Sequence, residues 1–154
     1  MEVEVWTPPK YGLIQEKYWP DPWKILVCCL CLNLTTRKQM EPVVERIFQR
    51  WPDAKSLSEA DEAELTDVIR SLGMWKKRVS TLKKMSTQYH MGEWSNVLQL
   101  HGVGKYASDA YRIFVLGDWR NVQPQDHALN DYHDFLKRYY GESNHSSANH
   151  NFTC

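Results

Sequence analysis

Apolar residues along this chain recur at helical spacing, and strand-type alternation is absent. Asp21-Pro22 offers a capping side chain followed by proline at a first helical position, which predicts a helix running through Ile25-Leu26-Val27-Cys28-Cys29-Leu30-Cys31 to about Leu32. A second helix is predicted over Glu41 to Trp51, with Val44, Ile47, Phe48 and Trp51 on one stripe, stopped by Pro52. Ser58-Glu59-Ala60-Asp61 resembles a capping box, and the helix after it carries Leu65, Val68, Ile69 and Leu72 before Gly73 ends it. Trp75 to about Tyr89 reads as an amphipathic surface helix with Val79, Leu82 and Met85 inward and its lysines outward.

Farther on, a short helix around Ser95 to Leu98 leads into Leu100-His101-Gly102-Val103-Gly104-Lys105. Next comes a helix bearing Tyr106, Ala107, Ala110, Tyr111, Phe114 and Val115. Val122-Gln123-Pro124-Gln125-Asp126 reads as extended, and a last helix carries Leu129, Tyr132, Phe135 and Leu136. Residues 141–154 are polar and aperiodic, which predicts a disordered tail. The expectation is a single all-α domain over residues 1–140, ordered from roughly 6 to 138.

Composition changes this picture little. With 42% hydrophobic and 25% charged residues in 154, the chain matches ordinary globular proteins, and no apolar run is long enough for a membrane span. No secretory leader is apparent, so Asn33-Leu34-Thr35, Asn144-His145-Ser146 and Asn151-Phe152-Thr153 read as chance glycosylation sequons in an intracellular protein. Cys28, Cys29 and Cys31 crowd one short element and cannot staple distant segments. Cys28 and Cys31 have the spacing of a redox or zinc pair but lack a matching second pair, so all three read as buried thiols.

The zero formal net charge hides a segregation. Residues 53–67 carry Asp53, Glu59, Asp61, Glu62, Glu64 and Asp67, while 70–84 carry Arg70, Lys76, Lys77, Arg78, Lys83 and Lys84 with no acid. Such a run fits either a solvated helix face or a phosphate-binding one.

The glycine turn at Gly102-Val103-Gly104 between two helices fits a helix-hairpin-helix, whose backbone N–H groups meet a phosphate at the following helix's N-terminus. Lys105 is then placed as a further phosphate contact. Asp126, entering the last helix, would by itself read as an N-cap.

The combined pattern Leu-x-Gly-Val-Gly-Lys-Tyr-x-x-Asp-x-Tyr-Arg-Ile-Phe, then Pro-x-Asp-His-x-Leu-Asn-x-Tyr-His-Asp, resembles the helix-hairpin-helix base-excision DNA glycosylase superfamily. Within it, the mismatch-specific thymine and uracil glycosylases are most similar. The resemblance starts at Trp6-Thr7-Pro8-Pro9, continues through Leu13-Ile14-Gln15-Glu16 and Asp21-Pro22-Trp23-Lys24, and reaches roughly Leu136.

It implies a two-lobed helical fold with the active site in the cleft between lobes. It also implies an enzyme that flips thymine or uracil from G·T and G·U mispairs, the deamination products of CpG, and excises it. Asp126 corresponds to the family's catalytic aspartate, whose carboxylate stabilises the cationic sugar and orients water. Tyr106 stands where bifunctional relatives have a lysine nucleophile, so hydrolysis without strand cleavage is expected, and it resembles the tyrosine that contacts the flipped pyrimidine. Gln15 would read the base's polar edge beside backbone groups of Ile14. Two positions depart from the pattern: Leu34 replaces an arginine that fills the gap left by the flipped nucleotide, and Met74 replaces a leucine facing the opposite strand.

Only Cys154 follows Asp126, so no iron-sulfur cluster is expected, and His127 and His133 have no partners arranged for zinc. A monovalent cation on hairpin carbonyls is the sole ion the resemblance leaves room for. Mismatched duplex DNA is the expected partner, for a nuclear monomer.

Overall fold

A computed structural model describes residues 5–141, whose regular structure is helical, with no strand among them. Of the tail expected at 141–154, residues 142–154, with the sequons at Asn144 and Asn151 and the thiol of Cys154, lie outside the described residues.

The helix predicted from Asp21-Pro22 forms as α2 (Pro22–Leu32), with the Asp21 carboxylate accepting from the Lys24 N–H. Apolar residues occupy nearly its whole circumference: Trp23, Ile25, Leu26, Val27, Cys28, Cys29 and Cys31 are all buried. A helix of that kind must be covered on every side. Around it pack α1 (Ile14–Tyr18), α3 (Arg37–Arg50), α6 (Trp75–Met91) and α7 (Lys105–Phe114). The three thiols are free and buried, as their clustering implied.

The predicted second helix begins four residues earlier than Glu41. Thr36 caps the Gln39 N–H and the Gln39 side chain answers the Thr36 N–H, a reciprocal box that starts α3 at Arg37. Pro42 then lies within its second turn, where the missing N–H forfeits one bond.

The capping box expected at Ser58 is displaced: Ser58 ends a short α4 (Ala54–Ser58), and Asp61 caps α5 (Glu62–Ile69) by accepting from the Glu64 N–H. The last turn of that segment, Arg70–Leu72, tightens to a 3-10 helix before Gly73. The Ser95–Leu98 helix is likewise a 3-10 turn, Val97–Gln99. The last predicted helix forms as α8 (His127–Tyr139).

α8 is tied down mainly by aromatic side chains. Tyr132 stacks on Phe114 of α7 at 4.9 Å between ring centroids, and its hydroxyl donates to the Pro9 carbonyl at 2.7 Å. Tyr11 packs against Tyr132 and Phe135, so residues 6–13 run as a strap over α8. Trp6 anchors that strap by donating to the Phe114 carbonyl, and its ring lies so close to Gly117 that an added Cβ would stand 2.8 Å from it.

The thiols on α2 give the fold an alkaline limit. Burial pushes Cys29 and Cys31 from the ordinary 9.0 up to about 12 and drives Cys28 well upward too. Above pH 9 the unfolded chain releases protons that the folded chain keeps, so this contribution is fully present below 9.0 and is lost as pH rises toward 12. The urea midpoint should hold to about pH 8.5 and then fall, less steeply in Cys31→Ala. An equally steep fall in that variant would acquit the thiol.

Candidate active site

Five of the residues singled out in the sequence converge on one opening. Ile14, Gln15, Leu34, Tyr106 and Asp126 line a cavity of about 460 Å³, together with Asn33 and Arg37. They arrive from α1, the turn after α2, the first turn of α7 and the N-terminus of α8, so no local segment contains the site.

Asp126 is both cap and cavity wall. Its Oδ2 accepts from the Leu129 N–H at 3.0 Å, which fixes the carboxylate at the start of α8 while leaving it exposed. Its other oxygen has no hydrogen-bond partner among the described residues. The cap and catalytic readings of this residue are therefore compatible in space.

Gln15 is 1% exposed, far from the surface glutamine that a short helix would ordinarily carry. Its Nε2 donates to the Tyr106 hydroxyl at 2.7 Å and lies 3.6 Å from Cys29 Sγ. Burial, reinforced by Cys29 and Asp126, pushes the Tyr106 phenol far above its usual range, so the hydroxyl stays protonated. Cys29 thus touches the pair from α2. Sequence reading placed it only in the core, and nothing short of knowing which face of α2 meets Tyr106 could have revealed the contact.

Glu16 shapes the rim. Its carboxylate accepts from the N–H groups of Tyr11, Gly12 and Leu13, and Arg37 donates to the Gly12 carbonyl.

A second cavity of about 410 Å³ adjoins the first through Tyr106 and Asn33. Cys29, Met74, Lys77, Arg78, Gly102, Gly104 and Lys105 border it. Here the hairpin turn closes through Val103 N–H donating to the Leu100 carbonyl, with Val103 itself buried. Gly102 has φ +80, and an added Cβ would collide with Thr81 Cγ2. Gly104, by contrast, has an ordinary φ of −106 and open space where a Cβ would go. Only its bare backbone facing outward distinguishes it.

Lys105 is not a free cation. Its Nζ bonds the buried Asp109 carboxylate at 2.7 Å and the Gln123 carbonyl at 3.0 Å, tying the first turn of α7 to the segment that delivers Asp126. The basic run beyond Gly73 also divides. Lys76, Lys77 and Lys84 are exposed, Lys83 donates to the Ala60 carbonyl, and Arg78 is buried. Arg78 falls on the same stripe as Val79, Leu82 and Met85, so helical spacing is the signal that sets it apart from the outward lysines. Leu34 and Met74 are exposed, which excludes the core for both.

Comparison with known proteins places this architecture. The model of the HhH-GPD superfamily of base excision DNA repair proteins matches residues 27–148. The chain belongs to that superfamily. The chain is also similar to a "Methyl-CpG-binding domain protein 4-like protein" of Arabidopsis thaliana. That relative is 44% identical over 137 residues, covering 88% of this chain and 31% of the relative. A "Thymine/uracil-DNA glycosylase" of Pyrobaculum aerophilum is 31% identical over 104 residues, covering 63% of this chain and 45% of its own length. The chain therefore spans less than half of either relative. Among solved structures, a thermostable thymine-DNA glycosylase superposes with a TM-score of 0.59 at 20% identity, covering 75% of this chain and 66% of the other. At that identity the likeness speaks for the HhH-GPD fold alone.

The two hairpin glycines should respond differently to alanine. Gly102→Ala must strain a left-handed backbone and displace Thr81, costing about 2 kcal/mol or more of unfolding free energy. Gly104→Ala should leave the urea midpoint nearly unchanged. Equal losses in the two variants would contradict the geometry.

Proposed function

We propose that this HhH-GPD chain is the catalytic domain of a monofunctional DNA glycosylase in base-excision repair. It extrudes thymine or uracil from G·T and G·U mispairs, chiefly CpG deamination products, and hydrolyses the glycosidic bond. The observation that carries this reading is the meeting of Asp126, Gln15, Tyr106 and Leu34 on one cavity, from four separate parts of the chain.

In this mechanism the mispaired nucleotide leaves the stack, a step that costs least where pairing is already poor. Exposed Leu34 fills the space vacated and Met74 faces the other strand, while the backbone at Gly102 and Gly104 and the Lys77 ammonium receive phosphates. The Val103 N–H is committed to the hairpin, so Val103 contributes through the turn it closes. Lys105 contributes by holding the Gln123 segment, and its charge reaches DNA only from that position. Hairpin carbonyls offer room for a monovalent cation, and no iron-sulfur cluster or catalytic metal enters the scheme.

Inside the pocket, Gln15 and the backbone of Ile14 engage the polar edge of the base beside the Tyr106 ring. As the bond from C1′ to the base breaks, its electron pair departs with the base and positive charge spreads over C1′ and the ring oxygen. The Asp126 carboxylate stabilises that cation and orients water for attack on C1′. The water's proton is lost, the departing base is protonated, and an abasic sugar remains.

Two features support hydrolysis without strand cleavage. Tyr106 holds the position of the nucleophilic lysine of bifunctional enzymes and stays protonated. Lys105 is held by Asp109 and borders the neighbouring cavity rather than the one lined by Asp126. A monomer acting in the nucleus completes the reading.

Labelled G·T, G·U and matched duplexes test it. Mismatched strands should break only after alkali, and matched ones not at all. Breakage without alkali would overturn the hydrolytic assignment, and binding without excision would favour a non-catalytic DNA-binding module. Asp126→Asn can still cap α8 through its amide oxygen, so it should fold and bind the lesion, yet lose about a thousand-fold or more in turnover. Wild-type turnover in that variant would remove Asp126 from its role.

A further inference from the structure

Leu34 and Met74 share more than exposure. They are the two non-glycine residues with positive φ among those described, at 61° and 46°. Left-handed backbone is costly for a side chain carrying a Cβ, and residues outside glycine, asparagine and aspartate adopt it rarely. Both are nevertheless large and apolar, and both face solvent at 78% and 46% exposure. Neither packing against the core nor backbone preference accounts for them. Something must hold the chain in this form at both places.

The side chain of Arg78 touches both. Its Nη2 donates to the Asn33 carbonyl at 2.8 Å, and its Nε donates to the Gly73 carbonyl at 2.8 Å. Those carbonyls belong to the peptide units that lead directly into Leu34 and Met74. Weaker bonds run to Leu72 at 3.3 Å and Leu30 at 3.4 Å. Arg78 is 7% exposed, and among the described residues no carboxylate pairs with it. A buried cation is expensive unless its donors are satisfied, and here the partners are backbone carbonyls of the two turns and the last turn of α2. Fixing a peptide plane and the φ that follows it fixes where the next side chain projects. One guanidinium thus bonds the peptide units that precede two exposed apolar side chains on separate turns.

We propose that Arg78 is a positioning residue that makes Leu34 and Met74 a single two-pronged tool for entering the base stack. Removing it impairs extrusion of the base from paired DNA and spares the cleavage that follows. The inference rests on the glycosylase reading above, because it assumes a base to extrude.

Arg78→Gln and Arg78→Lys, each confirmed folded by its thermal transition, separate the two. Amide-to-Hα coupling constants at Leu34 and Met74, measured by NMR, report φ without any DNA. Single-turnover uracil excision is compared between a paired G·U duplex and the same duplex with the uracil in an unpaired bubble. In Arg78→Gln both couplings should shift together, and paired-duplex excision should fall roughly ten- to a hundred-fold, the loss expected for charged hydrogen bonds. Bubble excision should stay within about three-fold of wild type, since unstacking is already done. Arg78→Lys, which keeps the charge and reaches fewer carbonyls, should fall between.

Unchanged couplings in Arg78→Gln would overturn the proposal, as would equal losses on the two substrates, the signature of a general structural role. If the wild-type protein excises uracil from neither substrate, the glycosylase reading fails by itself. The couplings then decide separately whether Arg78 directs the two tips.

Discussion

A helix with no polar face has to be enclosed, and α2 imposes that demand on everything around it. From Trp23 to Cys31 nearly all its residues are buried, so α1, α3, α6 and α7 are arranged by the need to cover it. Burial of this kind is non-directional and is the dominant favourable term in folding. Its consequence for the site is positional. The C-terminal end of α2 emerges at Asn33 and Leu34, while its flank presents Cys29 to Gln15 and Tyr106. The element that contributes most to the core therefore also sets one edge of the opening.

The candidate chemistry is assembled from groups with two commitments each. Asp126 starts α8 and walls the cavity. Tyr106 belongs to the first turn of α7 and meets Gln15 from α1. Lys105 neutralises the buried Asp109 and holds the Gln123 carbonyl. Each side chain is thus placed by a bond it makes to the scaffold, so little ordering is left for the moment a substrate arrives. That arrangement suits a reaction in which charge must be met by groups already in position.

Much of this was legible in the sequence, and what was not had physical reasons. The long helices followed from apolar spacing, and the caps at Asp21 and Asp126 from side chains that compete for orphan N–H groups. The start expected at Glu41 falls four residues late because the apolar stripe begins only at Val44, whereas the Thr36 and Gln39 box starts α3 at Arg37 and outweighs the one bond lost at Pro42. α1 and α4, at five residues each, are too short for periodicity to register. Asp126, Tyr106 and Gln15 came from motif resemblance, and their proximity to one another could not come from spacing, because it is a tertiary fact. Reading residues 70–84 as a charge run concealed the burial of Arg78, since a sum of charges ignores which face each one occupies.

The left-handed residues at 34 and 74 also bear on how this protein would respond to engineering. A stabilisation scheme that places glycine wherever φ is positive would choose these two positions early, and each exchange would relieve backbone strain. Each would also delete an apolar side chain that projects into solvent and contributes little to the core. Selection for thermal stability and selection for work on DNA would then pull the same two codons in opposite directions. Screening variants by melting temperature alone would favour proteins that fold better and have lost the part that reaches out of the fold.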